Sequence, residues 1–246
     1  MNNPDYYNET LIVIPSRINS TRLPKKPLIQ IGDKSIIEHV VSNLSSSDFK
    51  NILVATDNEE IAAQVKSLGV NHVMTDPHIT TGTERVYKAW QMLENKDKFR
   101  YIVNVQGDMP FISATTVAKL VETLASTNAD IVTPVQKVPK SKVMGESNVK
   151  VVVDKNDNAL FFSRSFIPIY AEEFLYHYGI YAFRAESLGK FVGLKQSYLE
   201  KNEKLEQLRA LEDGMLIKVC YVNDVTISVD TKEDLEKAIN HYNTIT

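Results

Sequence analysis

Four cationic side chains lie close together in the sequence, directly after an apolar run typical of a buried strand. The segment PSRINSTRLPKKPL (15–28) contains Arg17, Arg22, Lys25 and Lys26, and three prolines restrict its backbone. Guanidinium groups bind phosphate oxygens through paired donors, and lysine acts as a compact positive charge. The segment therefore predicts a polyphosphate-binding loop, although a solvated surface loop would have a similar composition.

Two acidic side chains end other apolar runs. Asp108 closes YIVNVQGD (101–108), and Asp230 closes ISVD (227–230). Ligands of open α/β sheets lie beyond the carboxyl ends of the strands, where these side chains and the cationic loop emerge. Mg²⁺ binds few protein carboxylates and completes its shell with water and phosphate. We therefore expect Asp108 and Asp230 to hold Mg²⁺; the alternative is that each is an ordinary turn or helix-capping aspartate.

The elements that must position these residues follow two alternating patterns. Short β-branched runs predict buried strands at 11–15, 52–56, 101–106 and 130–135. The segments between the first three have apolar residues three and four positions apart, which predicts helices. This alternation favours an α/β fold with a mostly parallel sheet. Three later runs are closely spaced and predict an inserted subregion of mixed or antiparallel strands, at 149–154, 159–163 and 178–183.

The end of the chain returns to helices around one strand. Residues 201–214 predict one helix ending at Gly214, and LIKVCYV predicts a last strand. Residues 231–242 predict a final helix with Thr231 as its N-cap. Because no linker rich in Gly, Pro or Ser interrupts the chain, we predict a single domain over 1–246 with the β subregion at about 149–200.

Composition and missing motifs exclude several classes of protein. The chain has 28 Lys plus Arg against 31 Asp plus Glu, which provides no basic surface for nucleic acid. Its single cysteine, Cys220, excludes intramolecular disulfides and cysteine-based zinc sites, and we expect it to be a small buried hydrophobe. The dinucleotide fingerprint, the P-loop and the G-x-S-x-G elbow are absent. With no signal-peptide pattern and no apolar run near the roughly 18 residues of a membrane span, we expect a cytoplasmic protein.

Five motifs, in order, resemble those of 3-deoxy-manno-octulosonate (KDO) cytidylyltransferases, the CMP-KDO synthetases. They are PSRINSTRLPKKPL, VNVQGD, YGIYAFR, LEQLR and VDTKEDL, within a similarity that runs from about residue 11 to residue 240. The first motif is typical of cytidylyltransferases in general, and the set points to the KDO enzymes. The resemblance implies a single-domain nucleotide-diphospho-sugar transferase-like (Rossmann-like) fold. It further implies that CTP and KDO give CMP-KDO and pyrophosphate with Mg²⁺, for lipopolysaccharide biosynthesis, in a homodimer.

The resemblance also assigns roles to individual residues. The catalytic cations that hold the triphosphate are Arg17, Arg22 and Lys26, and Asp108 and Asp230 hold Mg²⁺. Further nucleotide contacts come from Ser16, Gly82, Thr83 and Arg85. The sugar acid is bound by Gln106, Arg164, His177, Tyr181, Glu206 and Gln207, with Arg164 on its carboxylate. The β subregion contributes to the sugar pocket and the dimer contacts.

The chain departs from the family pattern at two positions near the expected site. Lys25 stands where the family usually has glycine, and Met109 replaces the usual glutamate after the metal aspartate. The stretch between Arg164 and His177 is also short. Two alternatives stay open: CTP-dependent activation of another sugar acid, such as a nonulosonic acid or an amino-substituted KDO, and a non-catalytic nucleotide-binding protein on the same fold.

Overall fold

The structure, a computed structural model, describes residues 5–20, 22–142, 148–224 and 227–246. The chain divides into two compact units, Met1–Thr115 with Asp224–Thr246, and Thr116–Asn223. We call them the first and the second unit. The predicted β subregion at about 149–200 lies within the second unit, and the single domain over 1–246 stays a prediction.

The first unit contains a parallel sheet. Its strands are β1 (Thr10–Ser16), β4 (Ile52–Thr56), β5 (Asn71–Met74) and β6 (Tyr101–Asn104). They lie in the order β5, β4, β1, β6, and every neighbouring pair is parallel. β1, β4 and β6 are buried along their whole length, as expected for strands covered on both faces. Their carboxyl ends, which precede Arg17, Asp57 and Gln106, therefore meet at one edge of this sheet.

Helices of the first unit begin at side-chain caps. They are α1 (Ile36–Ser45), α2 (Glu59–Ser67), α3 (Gly82–Gln91) and α8 (Lys232–Ile245). A two-stranded hairpin, β2 (Gln30–Ile31) and β3 (Lys34–Ser35), precedes α1. The predicted N-cap Thr231 is confirmed, because its hydroxyl accepts from the Asp234 backbone N–H while the Asp234 carboxylate accepts from the Thr231 backbone N–H. Such caps are worth about 0.5–2 kcal/mol each.

A buried cluster of the first unit joins the cationic loop to the segment before Asp230. Leu23 from the loop and Val229 pack with Ile31, Ile36 and Ala238, all at most 3% exposed. Burying a side chain of this size contributes about 1.5–3 kcal/mol. The cluster therefore holds the cationic loop and the segment before Asp230 against the same core, although they are far apart in the sequence.

The second unit combines antiparallel and parallel pairing. Its strands are β7 (Ile131–Pro139), β8 (Lys150–Val153), β9 (Ala159–Ser163), β10 (Glu173–His177), β11 (Tyr181–Arg184) and β12 (Ile217–Tyr221). β12 is parallel to β7, whereas β10 and β11 pair with β7 antiparallel, and β8 pairs antiparallel with both β10 and β9. The prediction of an α/β fold with an inserted mixed β subregion is confirmed.

The helices of the second unit are α4 (Ala114–Ala125, which begins at its boundary), α5 (Ala185–Gly193), α6 (Tyr198–Glu203) and α7 (Leu208–Glu212). The prediction of one helix over 201–214 is wrong. Lys204 adopts a left-handed backbone, φ 54°, and ends α6, so the segment forms two short helices. The prediction that Gly214 closes this region is confirmed: it has φ 74°, and its N–H donates to the Leu211 carbonyl over 3.1 Å.

Cys220 lies in β12 and is 5% exposed, as expected for a small buried hydrophobe. Burial raises the pKa of its thiol to about 12. Among the described residues, the structure has no helix whose length and apolar content would let it cross a membrane.

Candidate functional site

One cleft of the first unit collects most of the side chains that the sequence predicted for nucleotide and metal binding. The predicted residues that line it are Ser16, Arg17, Arg22, Lys26, Gly82, Arg85, Gln106, Asp108 and Asp230. All of them lie at the end of β1 or in the loop after it, at the start of α3, after the end of β6, or at the end of the segment before α8. The carboxyl-edge rule thus predicted that the loop after β1 and Asp108 converge, whereas Asp230 follows residues 227–230, which form no strand.

Lys26 joins the two predicted metal ligands at the centre of the cleft. Its ammonium nitrogen Nζ lies 2.6 Å from Asp108 Oδ2 and 2.9 Å from Asp230 Oδ1. The Lys26 side chain is only 15% exposed. Burial lowers its pKa, but the charges and hydrogen bonds of the two carboxylates outweigh that effect and leave the pKa of Lys26 raised. Lys26 is therefore a charged side chain held by two acids.

Backbone contacts bring the two aspartates together. The Val229 N–H donates to the Asp108 carbonyl over 2.9 Å, which ties the segment after β6 to the one before α8. Arg22 Nη2 adds a contact of 3.2 Å to Asp230 Oδ1. The cationic loop, Asp108 and Asp230 therefore converge in one site.

Two buried oxygen atoms of the cleft have no hydrogen-bond partner within the described parts of the chain, Asp108 Oδ1 and Ser16 Oγ. A buried acceptor without a donor is unfavourable unless another group satisfies it. A divalent cation would satisfy a carboxylate oxygen, and paired carboxylates are ligands that Mg²⁺ prefers. No cluster of three or more His, Cys, Asp or Glu side chains within 5–20, 22–142, 148–224 and 227–246 could hold a metal. The unsatisfied Asp108 Oδ1 and the nearby Asp230 carboxylate fit an ion that takes few protein ligands.

Arg85 is held by the protein itself. It is 2% exposed, and its guanidinium donates to the Thr75 hydroxyl and to the carbonyls of Asp76 and Ile79. Its Nη2 also lies 3.6 Å from Asp57 Oδ2, and burial lowers the pKa of Arg85. These contacts fix the turn before α3, so the position of Arg85 is determined by the fold.

Asp57 is a site residue that the sequence reasoning missed. Its carboxylate is 3% exposed and accepts the Ile18 backbone N–H over 3.0 Å, besides pairing with Arg85. It therefore connects the cationic loop to the turn before α3. Asp57 directly follows the strand ILVAT, much as Asp108 follows its own strand, so the same rule applied to β4 would have identified it.

Three polar side chains at the end of β6 and the start of α3 form a chain of hydrogen bonds. Gln106 Nε2 donates to Asn104 Oδ1 over 3.2 Å, and Asn104 Nδ2 donates to the Thr83 hydroxyl over 3.3 Å. Gln106 lines the cleft, whereas Thr83, 3% exposed, is not among its lining residues. The predicted nucleotide contact of Thr83 stays a prediction.

The backbone explains how Lys25 replaces glycine. Lys25 has φ 51° and ψ 32°, the left-handed conformation that glycine adopts without steric cost. Its ammonium lies 3.0 Å from the Glu60 carboxylate, whereas Lys26 contacts Asp108 and Asp230. Met109, the other departure, is 5% exposed, so an apolar side chain packs where the resemblance leads us to expect a glutamate.

Replacing Lys25 by glycine should leave the free energy of unfolding unchanged or raise it by up to about 1 kcal/mol, because the left-handed strain of about 1–2 kcal/mol disappears. Lys25→Val should lower it by more than about 1 kcal/mol, since a β-branched residue tolerates this conformation poorly. Urea unfolding measures both. Glu60→Gln is the control for the exposed ion pair, worth about 0–1 kcal/mol. Equal stability of the glycine and valine variants would contradict the strained backbone.

Gly107 leaves no room for a side chain beside the cleft. A Cβ atom there would lie 2.9 Å from the Pro15 carbonyl oxygen and 3.3 Å from Ser16 Cβ. We expect Gly107→Ala to lower the free energy of unfolding by about 1–3 kcal/mol, as overpacking does. Gly193→Ala is the matched control because a Cβ there would meet nothing within 4 Å. Thermal or urea unfolding compares the two, and equal stability would contradict the close approach.

The residues predicted for the sugar acid are distributed over both units. Gln106 belongs to the first unit, and the second unit contains Arg164, His177, Tyr181, Glu206 and Gln207. Within the second unit, the rings of His177 and Tyr181 have centroids 5.6 Å apart. Burial, and then the charge of Glu206, raise the pKa of Tyr181. These three side chains are thus neighbours, as a shared role would require.

The other two predicted sugar residues of the second unit differ in burial. Gln207 is 4% exposed, and its Nε2 has no hydrogen-bond partner among the residues that the structure describes. An unsatisfied buried donor fits a ligand better than the exposed helical position that its sequence context suggests. Arg164 is half-buried, and its carbonyl accepts a hydrogen bond from Lys150. The five roles themselves stay predictions.

Stability should depend on pH through His177. This ring is 5% exposed, contacts the Thr133 hydroxyl at 2.8 Å, and burial lowers its pKa from 6.5 to about 3. Below pH 6.5 the unfolded chain binds this proton and the folded chain does not, so stability falls as pH decreases. Between about pH 7 and about pH 5 the free energy of unfolding should fall about 2 kcal/mol more than in His177→Gln. Urea titrations of both proteins measure this, and parallel pH curves would contradict it.

Comparison with known proteins gives consistent matches. The cytidylyltransferase family model matches residues 11–217. A 3-deoxy-manno-octulosonate cytidylyltransferase of Rickettsia massiliae (strain Mtu5) is 51% identical over 239 residues, 97% of each chain. The solved structure of a CMP:2-keto-3-deoxy-manno-octonic acid synthetase complexed with CTP has a TM-score of 0.89 at 32% identity, covering 97% of this chain and all of that one. A cytidylyltransferase of Leptospira borgpetersenii serovar Hardjo-bovis (strain JB197) shares the fold, with a TM-score of 0.63 at 18% identity over 96% and 87% of the two chains.

Proposed function

Because this chain belongs to the 3-deoxy-manno-octulosonate cytidylyltransferase family, we propose that it activates KDO with CTP to give CMP-KDO and pyrophosphate for lipopolysaccharide biosynthesis. The observation that carries the proposal is the contact of Lys26 with both Asp108 and Asp230 in the cleft that Arg17 and Arg22 also line. This cleft provides the cations for a triphosphate and the carboxylates for a metal ion.

In the proposed reaction the anomeric oxygen of KDO forms a bond to the α-phosphorus of CTP, and the bond from that phosphorus to the pyrophosphate oxygen breaks. The proton of the anomeric hydroxyl leaves to solvent. Arg17 and Arg22, exposed at the cleft, hold the outer phosphates through their guanidinium donors. Lys26 donates to the α-phosphate, where negative charge increases as the reaction proceeds. Such a reaction depends mainly on positioning and charge stabilisation.

Asp108 and Asp230 would hold Mg²⁺. When bound, the ion offsets the charge of the triphosphate and lowers the pKa of the attacking hydroxyl. The carboxylates keep their orientation because the Val229 N–H fixes the Asp108 backbone and Arg22 contacts Asp230. Ser16 offers a buried hydroxyl that can bond to a phosphate oxygen.

The sugar acid would be recognised by Arg164, which pairs with its carboxylate, and by polar side chains that bond to its hydroxyls. Burial lowers the pKa of His177 to about 3, so the ring is neutral at neutral pH and adds no charge to the proposed sugar-acid site. The buried Gln207 amide supplies a donor. We also propose a cytoplasmic homodimer, because CTP is a cytoplasmic metabolite and the family is usually dimeric.

Pyrophosphate release from CTP, KDO and Mg²⁺ tests the function. A coupled assay should respond to KDO more strongly than to a nonulosonic acid or an amino-substituted KDO, and to CTP more strongly than to UTP or ATP. A higher kcat/KM for another sugar acid would replace KDO as the acceptor. CTP binding without any pyrophosphate release, unchanged by Asp108→Ala, would favour a non-catalytic nucleotide-binding protein.

A further inference from the structure

The two aspartates proposed as metal ligands are already bound by a cation of the protein itself. Lys26 Nζ lies 2.6 Å from Asp108 Oδ2 and 2.9 Å from Asp230 Oδ1. The Lys26 side chain is 15% exposed, and the loop backbone that carries it is restrained by Pro24 and Pro27. A divalent ion that used both of these oxygen atoms would approach Lys26 to a distance at which two positive charges repel strongly. Lys26 and the ion therefore exclude one another from the pair of oxygens.

The balance of charge in the cleft shows what would move Lys26 away. Among the described lining residues whose charges are not paired elsewhere, Arg17, Arg22 and Lys26 face Asp108 and Asp230, a surplus of one positive charge. Arg85 is already paired with Asp57, and Lys25 with Glu60. A triphosphate carries more negative charge than this surplus can offset, so it would attract both the ammonium and a divalent ion.

We infer that Lys26 and the divalent cation compete for Asp108 and Asp230, and that a bound triphosphate ends the competition by taking the ammonium onto its own oxygens. The inference rests on the proposed function for the identity of the nucleotide. The competition itself concerns metal binding by the nucleotide-free protein and can be measured without the nucleotide. Metal and nucleotide binding are then positively coupled, and each raises the affinity for the other by the same factor. Lys26 thus disfavours a metal ion bound without the nucleotide.

The first experiment measures Mn²⁺ binding to the nucleotide-free protein by electron paramagnetic resonance of the unbound ion. Lys26→Met should bind Mn²⁺ about tenfold more tightly than the wild-type protein, or better, because the competing charge is gone. Lys25→Met is the matched control. It removes one positive charge from the same loop, but that lysine contacts Glu60, so its Mn²⁺ affinity should stay within about twofold of wild type.

Two further variants locate the effect. Lys26→Arg keeps the charge and should retain the weak Mn²⁺ binding of the wild-type protein. Asp108→Asn combined with Lys26→Met should lose the gain in affinity. Equal affinity of the wild-type and Lys26→Met proteins would overturn the inference. An equal gain in Lys25→Met, or a gain that persists without Asp108, would overturn it as well.

A second measurement on the wild-type chain keeps the inference testable if Lys26→Met fails to fold. Amine acylation followed by mass spectrometry reports how readily each lysine reacts. Saturating Mn²⁺ should raise the labelling rate of Lys26 several-fold, because displacement from two carboxylates exposes its amine, while the rate of Lys25 stays constant. A Lys26 rate that Mn²⁺ leaves unchanged at saturation would overturn the competition. Neither measurement involves KDO or turnover, so failure of the proposed function would not be confused with failure of this inference.

Discussion

Pyrophosphate release by the Asp108→Asn variant is expected to be about 10³-fold slower than that of the wild-type protein, as for loss of a group that stabilises charge in the transition state. Asparagine has the shape of aspartate, so packing is preserved and only the charge is lost. That charge pairs with Lys26 at 2.6 Å, and the other carboxylate oxygen is buried without a donor among the described residues. Either orientation of the amide removes the negative charge that attracts both Lys26 and the proposed metal ion.

The measurement is kcat from the coupled pyrophosphate assay at saturating CTP and KDO. Asp97→Asn is the control, since Asp97 is exposed in the 3₁₀ turn Lys96–Lys98 and lies outside the cleft. We expect its kcat to stay within about twofold of wild type, as for surface substitutions in general. Matching circular dichroism and unfolding midpoints would show that both variants fold. An Asp108→Asn protein that retained most of its activity would remove Asp108 from the proposed chemistry.

Asp57→Ala should lower the free energy of unfolding by about 3 kcal/mol or more, because removing one partner of a buried ion pair leaves the other charge unpaired. Arg85 is 2% exposed and lies 3.6 Å from the Asp57 carboxylate. The Ile18 N–H loses its acceptor at the same time, so the cationic loop should hold CTP less firmly. CTP affinity is therefore expected to fall together with stability.

Urea unfolding measures the stability change, and isothermal titration measures the CTP affinity. Asp48→Asn, at an exposed position outside the cleft, should change neither. In a double-mutant cycle, adding Arg85→Met should recover part of the stability lost in Asp57→Ala, since no buried charge is then unpaired. Additive losses in the cycle would argue against coupling between the two side chains.

The positions of the main cleft residues could be predicted because they depend on a rule of topology. Lys26 and Asp108 are far apart in the sequence, but each follows a predicted strand, and strand ends of a parallel sheet share one edge. Residues 227–230 form no strand, so Asp230 lies beside Asp108 for another reason, the hydrogen bond from the Val229 N–H to the Asp108 carbonyl. Thr231 and Gly214 were predictable for a local reason, since an N-cap hydroxyl and a left-handed glycine need only their immediate neighbours.

Features that depend on tertiary contacts could not be derived in this way. The helical pattern over 201–214 does not show that Lys204 takes a left-handed backbone, because its sequence neighbours allow a continuous helix. The burial of Gln207 beside polar residues is equally invisible in a periodicity argument, and only the family resemblance singled it out. Arg85 was predicted to contact the nucleotide. The carbonyl groups that accept hydrogen bonds from its guanidinium belong to a turn whose path no local sequence pattern predicts.

The burial of Cys220 has a practical consequence for spectroscopy. Its thiol is 5% exposed with a pKa of about 12, so maleimide dyes should leave it unmodified at neutral pH. One cysteine introduced at Asn19, exposed in the cationic loop, would then be the single reactive sulfur of the chain. A fluorophore attached there could follow the arrival of nucleotide in a stopped-flow instrument without prior removal of the native thiol.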